Sequence, residues 1–246
     1  LPDVPPPLPP GPYPAATPVT AETGARFTTW LQTGWRLTRQ DLGTTVAVGL
    51  VPVVPGLIVT VLAASAGFRA AWGQPTTTAT ALLEIIIGLL LMVVAVPGGA
   101  VMSASAFRAR VRGEALALSA MTPAPGKAIG AVGVLLPLWL CLLLGGAALR
   151  LNPVLGTRAS LLLAIPLSAW AWLSLYSLLD KSVGVSGSLL AGWELLARDP
   201  VNTCGLGAAG LVIWIGAAAP CLLGVPLALP ALMLAWAKAY ENLVSP

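Results

Sequence analysis

Glu84 is the one acid set inside an apolar run, Ala-Leu-Leu-Glu-Ile-Ile-Ile-Gly. A carboxylate in such a run is by default a candidate site for proton or cation passage. The run begins near Ala79, so Glu84 lies roughly one to two helical turns in, within snorkelling reach of an interface. The alternative is a structural carboxylate paired with Arg69 or Arg150, and the shallow depth favours it. Asp180-Lys181 closes a later apolar run and reads as a gate or, preferably, as a solvated helix end. Ser168, Ser174, Tyr176 and Ser177 precede it on the same run. They could line a pore, but bonding to their own backbone or to a neighbouring helix is the simpler use of such groups.

Other chemistry finds no material. The chain has no His, which removes the commonest metal ligand and the usual general base. Cys141, Cys204 and Cys221 are scattered among apolar residues and read as packing residues. No phosphate-binding loop, zinc-helix motif or Ser-His-Asp set occurs. The sequence therefore predicts no catalytic residue, no cofactor and no metal, and hence no enzyme. The 13 basic residues are dispersed along the chain, which argues against nucleic acid as a partner.

The elements that would carry these residues follow from composition. Of 246 residues, 57% are hydrophobic and 9% charged, with a mean hydropathy of +0.87. Soluble domains are about 25% charged. So few charges cannot cover a water-soluble core, and an all-α integral membrane protein is the class that remains. Residues 1–23 form a Pro-rich tail, expected to be disordered or to serve as a Pro-rich ligand. Residues 24–246 form the transmembrane domain. Its six apolar segments run over about 44–66, 79–106, 128–149, 159–179, 203–221 and 223–240. The last two share one apolar run, which Pro220 and Gly224 divide.

With the N-terminus inside, ten basic residues fall on the cytoplasmic side: Arg26, Arg36, Arg39, Arg108, Arg110, Arg112, Lys127, Lys181, Arg198 and Lys238. Three, Arg69, Arg150 and Arg158, fall outside. The asymmetry predicts both termini in the cytoplasm, in a bacterial inner membrane.

Two segments repeat at an offset of 158. Gly34-Trp35-Arg36-Leu37-Thr38-Arg39-Gln40-Asp41 and Gly192-Trp193-Glu194-Leu195-Leu196-Ala197-Arg198-Asp199 share G-W-x-L-x-x-x-D. Each stands before an apolar run. Phe27, Trp30, Leu31, Gly34 and Thr38 fall on one face, so 24–40 and 186–198 are predicted to be amphipathic helices at the inner interface. Trp35 and Trp193 would anchor them, and Asp41 and Asp199 would cap the helices that follow. A second echo, at an offset of 64, joins Ala171-Trp172 and Tyr176 to Ala235-Trp236 and Tyr240, with Phe107 in a similar place. Three helical hairpins with a parallel internal repeat describe the whole, the weakest lead-in helix being that at 110–121.

Gly192, Trp193, Leu195, Asp199, Pro230, Ala237 and Tyr240, with Gly34, Trp35 and Asp41, resemble motifs of a group of six-helix bacterial membrane proteins. That group is similar to the membrane-anchor domain of some glycerophosphodiester phosphodiesterases. The resemblance covers most of 24–242 and lacks the phosphodiesterase catalytic domain. It implies a membrane-embedded module and carries over no catalytic residue.

The expected function is a non-enzymatic accessory or assembly subunit of a membrane complex, with the lipid bilayer and other membrane subunits or itself as partners. A small transporter, resting on Glu84 and the proline breaks, is the alternative. A membrane-bound enzyme of lipid metabolism is a second one.

Overall fold

A computed structural model of the chain describes residues 26–72, 77–116, 121, 125–151, 153–180, 184–218 and 224–244. The Pro-rich tail, Lys181 and the Pro220 turn lie outside these. The described residues are helical, without strands. Runs of Leu, Ala, Val and Ile leave the backbone no polar neighbour but itself, and a helix satisfies every N–H and C=O within one segment. The elements are α1 (Arg26–Gln40), α2 (Leu42–Ala71), α3 (Thr78–Leu90), a π-helical turn (Leu91–Ala95), α4 (Val96–Val111), α5 (Pro125–Leu151), α6 (Pro153–Asp180), α7 (Val185–Arg198), α8 (Pro200–Ala218) and α9 (Val225–Val244). Three stretches, Leu42–Val59, Thr78–Val111 and Leu162–Asp180, are long and apolar enough to cross a membrane. Gly126–Pro137 and Pro200–Ile213 are shorter apolar helices.

The π-helical turn has a local cause. Pro97 has no N–H, and its ring crowds the carbonyl four residues back. The helix widens just before it, and Val96 N–H bonds the Leu91 carbonyl, five residues back. Helix α4 ends at Gly113, whose φ is +90°. Its N–H bonds Arg110 O at 3.1 Å and Glu114 N–H bonds Ala109 O at 3.0 Å, a Schellman ending that favours glycine. Over 112–116 the chain therefore turns away, so the expected lead-in helix does not continue there.

Helices α4, α6 and α9 each touch the other two. Helix α2 lies against α4 and α9, α5 against α4 and α6, and α8 against α6 and α9. The core follows this plan: Val101, Ala104, Phe107, Leu173, Tyr176, Met233, Leu234, Ala237 and Tyr240 are fully or almost fully buried. Small residues such as Ala104 and Ala237 let the backbones approach. Helix α3 is different. It buries no residue, and it touches only α2 and the π turn among the described elements.

Helix α1 packs on α9 and α8, and α7 packs on α6 and α5. The Gly-Trp motif explains both docks. A Cβ on Gly34 would fall 2.8 Å from Ala235 N and closer still to the Ala231 carbonyl. A Cβ on Gly192 would fall 2.8 Å from Ser174 N and closer still to the Ser174 hydroxyl. Glycine faces the bundle, and the tryptophan that follows turns outward: Trp35 is 48% exposed and Trp193 61%. Trp30, Gly34 and Thr38 are buried, as the amphipathic reading of α1 requires.

Candidate functional site

The largest gathering of charge lies where α4, α6 and α9 end. Arg108, on the last turn of α4, and Arg112, which caps the helix, stand four residues apart, so both reach the same neighbours. Arg108 donates from Nε to Glu241 Oε1 at 2.8 Å, and its Nη2 lies 2.6 Å from Asp180 Oδ1. Arg112 joins Glu241 through Nε and Nη2, each at 3.0 Å. Tyr240 donates its hydroxyl to Asp180 Oδ2 at 3.0 Å. The Arg108 guanidinium also lies over the Tyr240 ring, 5.1 Å from its centroid. Arginine suits this position because its planar fork can serve two carboxylates and a ring at once.

Two cations complete the helix ends. Lys127, at the start of α5, donates to the Leu178 and Leu179 carbonyls at 2.5 and 3.2 Å. Arg198, at the end of α7, donates to the Leu243 carbonyl at 3.2 Å. Carbonyls at a helix C-terminus carry partial negative charge and lack intrahelical donors, so a cation satisfies both needs. Beneath the network, Tyr176 donates to the Met233 carbonyl at 2.8 Å, and its ring centroid lies 5.8 Å from that of Tyr240.

Two arginines and two carboxylates satisfy one another here, which makes the cluster a tie between helices and leaves it short of a free acid, base or nucleophile. Among the described residues no three His, Cys, Asp or Glu side chains gather as a metal site would require.

Asp180, expected as a solvated helix end, is thus held from two sides. Ser168 bonds its own backbone at Ile165 O, 2.9 Å, and Tyr176 bonds a neighbouring helix, both as the simpler reading had it. Ser174 is buried beneath Gly192 with no hydrogen-bond partner among the described residues.

Glu84 lies elsewhere, at the opposite ends of α2 and α3. Both of its oxygens accept from the Arg69 guanidinium, the first of the two partners considered. The pair faces a cleft of 320 Å³ walled by Val59, Leu62, Ala66, Ala81 and Ile85. Arg150 falls where side chains are outside the described set.

The capping aspartates differ. Asp199 Oδ1 accepts from Asn202 N at 3.3 Å, so its side chain caps α8 directly, with Pro200 at the first helical position. Its carboxylate also holds the Asn202 amide at 2.9 Å. Asn202 is fully buried and accepts from Phe27 N at 3.3 Å. The same asparagine thus joins the start of α8 to the start of α1. Asp41 contributes its main-chain carbonyl, which accepts from Thr45 N at 3.0 Å.

Sequence reasoning missed the network, although a signal was there. Pro97, Pro166 and Pro230 each stand ten residues before Phe107, Tyr176 and Tyr240. The residue after each aromatic is Arg108, Ser177 or Glu241, and the first and last of these pair with each other. No family model, curated protein or solved structure matches this chain.

Proposed function

We propose that the chain is an integral membrane protein that crosses a bacterial inner membrane six times, with both termini in the cytoplasm. In this reading the chain is three copies of one hairpin arranged in parallel. Each returning helix (α4, α6, α9) forms the centre, and each outgoing helix (α2, α5, α8) fills a groove between two of them. The ten-residue spacing from proline to aromatic in α4, α6 and α9 supports it. So do the docks of α1 on α9 and α7 on α6, each through the glycine of the same motif.

The function we infer is non-enzymatic. The chain acts as an accessory or assembly module that holds other membrane components, or copies of itself, through apolar helix faces. One observation carries this: the charged side chains where α4, α6 and α9 end bind each other, and Lys127 and Arg198 bind helix termini, while long apolar faces stay uncovered among the described residues. On α3 alone, Leu82, Leu83, Ile85, Ile86, Leu89 and Leu90 are exposed. The resemblance to a phosphodiesterase membrane anchor points the same way, to an embedded module without chemistry of its own.

The test is the mass of the particle extracted in a mild detergent. An assembly of fixed stoichiometry, heavier than the 25.0 kDa chain and its detergent, is expected. A lone monomer would contradict it. The transporter reading draws on the π turn and Pro97, which break the second long helix beyond Glu84. It requires ion-coupled uptake in proteoliposomes that is lost on Glu84→Gln.

A further inference from the structure

A second concavity, of 450 Å³, opens between α1, α8 and α9. Its walls are Leu31, Trp35, Ile213, Ala228, Ala231 and Leu232, with Gln32 as the one polar residue. The volume is in the range of small-molecule sites. Its apolar lining offers no orienting hydrogen bond deep inside, so a hydrocarbon chain is the occupant it can hold.

The rim is charged with one sign. Gln32, Trp35, Arg36 and Arg39 recur at helical spacing on one side of α1. Trp35, Arg36 and Arg39 are exposed. Neither arginine pairs with a carboxylate among the described residues. Three other arginines are held by carboxylates, Arg69 by Glu84, Arg108 by Glu241 and Asp180, and Arg112 by Glu241. Arg26 and Arg110 resemble Arg36 and Arg39 in pairing with no carboxylate among the described residues, but they stand away from the groove's walls. A tryptophan at the mouth of an apolar groove, beside two unpaired arginines, places aromatic, hydrocarbon and cation in the order found at a membrane surface. The cleft beside α3, by contrast, has its cation Arg69 already bound to Glu84, and the rest of the α3 face is apolar, so nothing there selects one lipid over another.

The geometry points to a site for one anionic phospholipid, with an acyl chain in the groove between α1, α8 and α9 and the phosphate on Arg36 and Arg39. Guanidinium groups bind phosphate oxygens through paired donors, which fixes the headgroup over the groove. The site rests on the membrane reading given above, with α1 at the inner surface. It gives the amphipathic helix a role besides packing: α1 would read the charge of the inner leaflet, and Gly34 would hold it close enough to α9 to shape the groove.

The experiment uses the full chain, reconstituted in vesicles of equimolar phosphatidylglycerol and phosphatidylcholine, extracted in mild detergent and weighed by native mass spectrometry. One retained lipid is expected, phosphatidylglycerol over phosphatidylcholine by about tenfold, since each basic side chain near an anionic surface contributes a few-fold. The double variant Arg36→Gln, Arg39→Gln changes only exposed side chains and should bring that ratio to near parity. Ile213→Trp should fill the groove and remove the bound lipid of either kind. Inorganic phosphate should not displace it. Equal retention of the two lipids by the unmodified chain, selectivity unchanged in the double variant, a lipid retained despite Ile213→Trp, or displacement by inorganic phosphate would each overturn the site. Failure of the chain to float with the vesicles would overturn the membrane reading instead, and flotation reports that separately.

Discussion

Arg108 of α4 and Asp180 of α6 meet at 2.6 Å, although each stands at or near the end of its own long apolar stretch and the two are far apart in sequence. The same guanidinium reaches Glu241 of α9 at 2.8 Å. One side chain therefore joins the ends of the three helices that form the centre of the molecule. The Arg108 side chain is 8% exposed, against 46% for Arg112.

That difference in exposure separates the two arginines by experiment. Removing one partner of a buried ion pair leaves the others unpaired and costs about 3 kcal/mol. An exposed pair contributes about 1 kcal/mol or less. Arg108→Ala should lower the thermal midpoint in detergent far more than Arg112→Ala. A combined Arg108→Ala, Asp180→Ala chain should lose less than the sum of the two single losses. Equal effects for the two arginines would remove the tie from the account.

The adjacent glycines of α4 offer a second contrast. A Cβ on Gly99 would lie 2.9 Å from Pro52 Cα, a backbone atom that cannot turn aside, whereas a Cβ on Gly98 would meet nothing within 4 Å. Gly99→Ala should destabilise by about 1–3 kcal/mol through overpacking. Gly98→Ala should be neutral or stabilise by up to about 1 kcal/mol through helix propensity. Gly34→Ala and Gly192→Ala belong with Gly99, because each would press on backbone of the facing helix. Thermal unfolding of the four variants decides it.

Glu84 is expected to be structural. Glu84→Gln keeps an acceptor for Arg69 and leaves the carboxamide at a partly exposed site, so the folded chain should lose about 1 kcal/mol or less. Its melting curve and any ion flux through reconstituted vesicles should match those of the unmodified chain. Abolished ion-coupled flux would return Glu84 to the transport reading.

Much of the architecture was legible because run length and periodicity are local properties. The helices α2, α5, α6, α8 and α9, and the α3–α4 stretch, all follow from apolar runs, and α1 and α7 follow from residues such as Trp30, Gly34 and Thr38 recurring on one face. Trp35 and Trp193 fall outside the packed face of these helices for the same reason, and both are exposed. The role of Gly34 and Gly192 was not legible, since it depends on which helix crosses there. Arg108, Asp180 and Glu241 were harder still. Each stands at the end of its own run and by itself resembles a solvated charge. The echo of Ala171-Trp172 and Tyr176 in Ala235-Trp236 and Tyr240, and the regular distance from Pro97, Pro166 and Pro230 to an aromatic, align the three ends, but the residues beyond those aromatics differ in type. The identical residues therefore align the ends without showing that Arg108, Asp180 and Glu241 meet there.

Helices α4, α6 and α9 lie against one another at the centre, and a non-transporting module built this way predicts that no aqueous path runs between them. Ala104 on α4 and Ala237 on α9 are both fully buried, and cysteine can replace alanine at either with one added sulfur. The measurement is labelling of Ala104→Cys and Ala237→Cys, in a chain whose Cys141, Cys204 and Cys221 are replaced by alanine, by a membrane-impermeant maleimide, from each side of the membrane in turn. Glu114→Cys, in the exposed turn after α4, serves as the reactive reference. The account predicts that the reference labels from the cytoplasmic side alone and that neither buried position labels from either side until the protein is denatured. Rapid labelling of Ala104→Cys or Ala237→Cys in the folded protein would contradict it and put a water-filled route through the centre of the bundle.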